Sequence, residues 1–139
     1  MAGSGSGELH HDVHFSIEES RDLIDRLGPK VGRILELRHE LDAKGFDIVS
    51  MDFVEPDPDD EKVENVNDTL SRIRELLDEI HETGALFKDP RFELGMLDFP
   101  HLTEEGEEVY LCWMYGEDEL DYYHPIKEGM AGREKLEEL

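Results

Sequence analysis

The sequence predicts an α+β fold, a long antiparallel helical hairpin followed by a small three-stranded antiparallel β-meander. Three observations predict it. Apolar residues recur at steps of three and four through residues 16–84, which is the period of a helical face. From residue 88 the period shortens to alternation, which is the period of a strand. Gly106 and Gly116 then separate the alternating runs as turns do.

The elements follow in order. Residues 1–14 have Gly/Ser linker composition at their start and group as a flexible N-terminal segment. Residues 15–139 then form one domain, with the helical hairpin over 16–84, the sheet region over 88–126 and a polar tail over 127–139. Ser16 and Glu19 make a capping box ahead of the first helix, whose apolar positions are Ile24, Leu27, Val31, Ile34 and Leu41. Arg38 falls in the core slot between Ile34 and Leu41, where a snorkelling side chain or a paired acid accounts for it. Pro29 lacks an N–H and clashes with the carbonyl four residues earlier, so a kink or a break is expected there. Gly45 suits the C-terminal cap. Residues 46–60 read as a short strand followed by a Pro/Asp loop, or as a long connection resting on the helices. The second helix carries Val63, Val66, Leu70, Ile73, Leu77 and Ile80, a seam of nearly three heptads, and ends at Gly84. The predicted strands cover 92–99, 108–115 and 119–124.

Charge restricts the partners. Asp and Glu number 37 against 14 Lys and Arg, a formal net charge of −23. Such a surface repels phosphate backbones and anionic lipids, so nucleic acid and membrane partners are not expected. Self-repulsion on this scale suits a salt-rich setting, as in a halophilic microbe. One Cys, no signal peptide and no run of eighteen apolar residues point to the cytoplasm.

The second half of the chain resembles the prokaryotic domain-of-unknown-function family 2203. The resemblance rests on Lys88-Asp89, the run from Leu94 to Pro100, Val109-Tyr110-Leu111-Cys112-Trp113, Gly116-Glu117, His124 and the run from Gly129 to Arg133, with the capped start at Ser16. Residues 46–60 are longer than the family pattern, and Tyr123 stands where the family often has Trp. The family has no assigned activity, so the resemblance implies no chemistry.

No phosphate loop, nucleophile elbow, Cys-x-x-Cys or His-Glu-x-x-His motif is present. Candidate residues come instead from strand direction. In a meander the third strand returns to the end where the first finished. Asp98 and His124 then share an end and point toward the core, with Glu108 or Tyr110 brought between them by the second strand and Arg133 in reach; Asp98, Tyr110, His124 and Arg133 form the candidate pocket. Asp98 and His124 could hold a divalent metal or act as an acid/base pair; a structural His–carboxylate pair is the competing account and weighs more. Glu117 is placed at the other end, on the order of 20 Å from His124. That spacing excludes a Cys112–Glu117–His124 metal site and leaves Cys112 as a small buried hydrophobe. Trp113 reads as a core anchor. His10, His11 and His14 lie in the flexible segment, where selective metal binding is not expected.

These features favour a small non-catalytic module that binds a ligand or associates with itself, as a homodimer. A metal-dependent or acid/base enzyme acting on a small molecule through Asp98, His124 and Arg133 is the alternative.

Overall fold

The computed structural model describes residues 9–139, so the Gly/Ser start of the linker lies outside the described residues. Helix α1 (Ile17–Ala43) begins at the expected capping box, with Glu19 N–H donating to Ser16 Oγ at 3.0 Å and Ser16 N–H to Glu19 Oε1 at 2.8 Å. Pro29 lies inside α1 and does not end it. One backbone bond is lost there, but Leu27, Val31 and Ile34 on either side are fully buried and hold the helix in line. Gly45, at φ +75, closes the end with its N–H on the Asp42 carbonyl. Arg38 does snorkel, reaching Asp42 at 3.1 Å and Glu93 at 3.7 Å.

The stretch after α1 is a tight hairpin of two-residue strands, β1 (Phe46–Asp47) and β2 (Asp52–Phe53). Helix α2 (Asp60–Glu82) then packs antiparallel on α1, capped by Asp59. Its buried positions are Val66, Thr69, Ile73, Leu76 and Ile80, while Leu70 and Leu77 sit half-buried at the margin. The seam is therefore rotated slightly from the one drawn on the sequence.

The sheet differs from expectation. It has five strands, not three, in the order β3 (Leu86–Phe87), β4 (Met96–Leu102), β5 (Glu108–Met114), β6 (Tyr122–Pro125) and β7 (Glu134–Lys135). Every neighbouring pair is antiparallel. The central three strands keep the expected meander order, although the third covers Tyr122–Pro125 and not 119–124, and two-residue strands extend the sheet at both edges. Strand β4 starts at Met96 and not at residue 92, because Phe92 and Gly95 adopt positive φ. The Asp89 carboxylate holds that turn by accepting from the N–H groups of Leu94 and Gly95 at 2.8 and 2.7 Å.

Alternate residues of the central strands face opposite sides. Leu97, Phe99, Leu111 and Trp113 join Leu27, Val31, Ile73 and Ile80 in one core between sheet and helices. Trp113 is the expected anchor, and its indole N–H donates to the Glu117 carbonyl at 3.0 Å. No helix of the described residues is long and apolar enough to cross a membrane.

Candidate functional site

Asp98, Tyr110, Cys112 and His124 belong to the opposite parity, so they occupy the face turned away from the helices. The expectation that Asp98 and His124 point into the core is thus corrected. Both faces of β5 are apolar enough to be buried, and alternation alone does not say which one meets the helices. The register decides the rest. Asp98 pairs with Cys112 across β4 and β5, and Tyr110 pairs with His124 across β5 and β6. The site is therefore mid-sheet and not at a sheet end.

Asp98, Cys112 and His124 are at most 2% exposed. One ligand atom from each, a carboxylate oxygen, a thiol sulfur and a ring nitrogen, lie within 4.8 Å of one another. His124 Nε2 is 3.2 and 3.1 Å from the two Asp98 oxygens. Its Nδ1 is 2.9 Å from the Pro125 carbonyl, an acceptor only, so Nδ1 carries a proton and donates it there. Burial, the strongest single influence, pulls the His124 pKa down. Hydrogen bonds to Asp98 and Cys112, the Asp98 charge and the Pro125 carbonyl together outweigh it and push it up to about 10. Burial, helped by the Asp98 charge, moves the Cys112 thiol the same way, against the pull of His124 and Arg133. Both shifts favour the protonated forms of His124 and Cys112.

Tyr110 flanks the cluster, its ring centroid 5.4 Å from that of His124. Lys88 Nζ lies 5.1 Å from the Tyr110 centroid on the β3 side. Arg133 approaches from the tail. Its Nη2 donates to the Cys112 carbonyl at 3.3 Å and to Glu117 Oε1 at 2.7 Å, and the guanidinium lies 4.1 Å over the Tyr122 ring. Arg133 is thus joined to Glu117, which corrects their expected placement at opposite ends. The turn after β5 folds back, and Glu117 Oε1 also accepts from the Met114 N–H at 2.7 Å. Glu117 is not in the ligand cluster, but Cys112, which the sequence reading sets aside as a plain hydrophobe, does meet His124. Sequence reasoning missed Cys112 as a partner of Asp98. The signal was available in their shared parity once the hairpin through Gly106 is closed in register.

Residues 10–14, which the sequence groups with a flexible segment, make defined contacts. The Glu108 carboxylate accepts from the N–H groups of His10 and His11 at 2.7 and 3.1 Å and meets His14 Nε2 at 2.6 Å. His11 Nε2 is 2.6 Å from the Tyr110 hydroxyl.

A helical hairpin backing an antiparallel sheet, with a buried Asp–Cys–His cluster on the far face, defines the architecture. The chain belongs to the family of uncharacterised conserved proteins DUF2203, whose family model matches residues 14–136. No curated protein and no solved structure matches it.

Proposed function

We propose that this protein is a binding module for a borderline-soft divalent cation of the zinc type, held by Asp98, Cys112 and His124. The observation that carries this is the convergence of three buried ligand atoms of different chemistry within 4.8 Å. Tetrahedral coordination at zinc bond lengths puts ligand atoms about 3.3–3.6 Å apart, so closure needs shifts of about an ångström. A thiolate and an imidazole select such a cation over calcium or magnesium, which take oxygen donors. The Pro125 carbonyl on Nδ1 is the outer partner that a ligating His uses to fix its tautomer. Charge balances: a divalent ion with one carboxylate, one thiolate and one neutral imidazole is neutral, as a buried site requires.

The same geometry favours binding over acid/base catalysis. A nucleophilic triad uses one ring nitrogen toward the nucleophile and the other toward the carboxylate. Here Nδ1 is taken by a backbone carbonyl, and Nε2 faces the carboxylate.

Cobalt(II) titration of the protein tests this. One ion per chain should bind with a thiolate-to-metal charge-transfer band that Cys112→Ser abolishes. Binding displaces one proton from His124 and one from Cys112, so about two protons should be released per ion. Asp98→Asn should weaken affinity by at least about 100-fold, beyond what outer-shell changes cost. Stoichiometric binding that survives Cys112→Ser unchanged, or no binding at all, would overturn the proposal.

Self-association is a second reading, favoured by the exposed apolar side chains Val49, Met51 and Val54 on the β1–β2 hairpin. In molar salt, which screens the acidic repulsion, solution scattering should give a dimer mass that Val54→Asp reduces to a monomer. A monomer for the unmutated chain at high concentration would end this reading.

A further inference from the structure

We infer that residues 10–14 form a strap that gates access to the Asp98–Cys112–His124 cluster, latched by the single carboxylate of Glu108. The cluster needs a door. The helical core closes one side of the sheet, the neighbouring strands close the edges, and its three side chains are at most 2% exposed. The remaining approach is the outer face, where the strap lies on the Tyr110 side and Arg133 on the Cys112 side. His11 rests on the Tyr110 ring at 5.3 Å between centroids, and Tyr110 rests on His124 at 5.4 Å. Moving the strap therefore uncovers Tyr110, the side chain that packs on His124.

The latch is local. Among the described residues, the hydrogen bonds made N-terminal to Phe15 go to the side chains of Glu108 and Tyr110. Phe15 itself is anchored separately, with its N–H on the Pro100 carbonyl at 2.7 Å and its carbonyl on His101 Nδ1 at 2.7 Å. Residues 10–14 can thus lift about Phe15 without disturbing α1 or the sheet. Leu9 and Val13 are half exposed, so little apolar burial opposes the lift. The Glu108 side chain is only 5% exposed although it carries a charge, and the strap supplies the donors that make that burial tolerable. Lifting the strap breaks the bonds to one carboxylate and one hydroxyl, those of Glu108 and Tyr110, and leaves the helical core packed. This places regulation on the metal site proposed above, and its test does not depend on the metal.

The test is the rate at which Cys112 reacts with a thiol reagent in metal-free protein. The unmutated chain should react slowly. Glu108→Ala and His14→Ala should each react faster, Glu108→Ala by at least about tenfold, because local opening replaces rarer unfolding. Leu76→Ala is the control: it destabilises the helical core and exposes Cys112 only through global unfolding. Glu108→Ala should react faster than Leu76→Ala even where its thermal midpoint is the higher of the two. With cobalt bound, excess chelator should also extract the ion faster from Glu108→Ala while affinity stays nearly constant. If both strap variants modify Cys112 no faster than the control of matching stability, the strap is structural and the gate is wrong. Fast modification without cobalt binding would keep the gate and remove the metal site. Should Glu108→Ala fail to fold, His14→Ala alone decides.

Discussion

Ile73→Asp is expected to lower stability by ~4 kcal/mol or more, enough to unfold a protein of ordinary stability. Ile73 is 3% exposed and packs in the core between α2, α1 and the sheet. A carboxylate there loses its water with no cation to meet it. It must either ionise in an apolar site or take up a proton, and both cost free energy. The neighbouring Leu70→Asp is the calibrating comparison. The sequence seam treats the two positions as equals, yet Leu70 is half-buried and its aspartate could reach water. Leu70→Asp should therefore cost clearly less. Denaturant unfolding in molar salt, which screens the acidic surface, would measure both. Equal losses at the two positions would mean that α2 is rotated back to the seam drawn on the sequence.

That contrast shows where the sequence was legible. Helix positions were, because capping chemistry is local: Ser16 with Glu19 ahead of α1 and Gly84 behind α2 are written in short spacings, whereas the Asp59 cap was hidden in a Pro/Asp loop. The buried side of α2 was legible to within a fraction of a turn. The meander was legible because glycines mark its turns and alternation marks its strands. The edge strands β3 and β7 were not, since two residues carry no periodicity. The face of the sheet was not, since Tyr110 and Cys112 are as apolar as Leu111 and Trp113. Asp98 and His124 were brought together correctly by strand direction, but Cys112 was set aside as a plain hydrophobe. Its burial was expected correctly. Its neighbours depend on register, which turn length sets and composition does not. The N-terminal strap left no trace in sequence, because its contacts join residues about a hundred positions apart.

Asp98→Asn is the substitution with the largest expected electrostatic effect. In metal-free protein the His124 imidazolium sits beside the Asp98 carboxylate, and its pKa is held at about 10 despite burial. Removing the charge leaves burial as the strongest influence on the ring. The His124 midpoint should then fall clearly below about 10. Stability follows by linkage. A histidine whose folded pKa lies above its unfolded one contributes stability that is complete below about pH 6.5 and is lost as pH rises toward 10. The unmutated protein should therefore lose up to ~1.4 kcal/mol per pH unit across that window from this group. Asp98→Asn should flatten the slope and lower stability at neutral pH, because the contribution of the His124–Asp98 ion pair is lost. Glu117→Gln should leave the His124 midpoint nearly unchanged, because Glu117 pairs with Arg133 and does not touch the ring. NMR titration of the His124 ring, run beside denaturant unfolding from pH 6 to about 10, reads both quantities. A midpoint that moves with Glu117→Gln and ignores Asp98→Asn would put the ion pair in the wrong place, and the metal site with it.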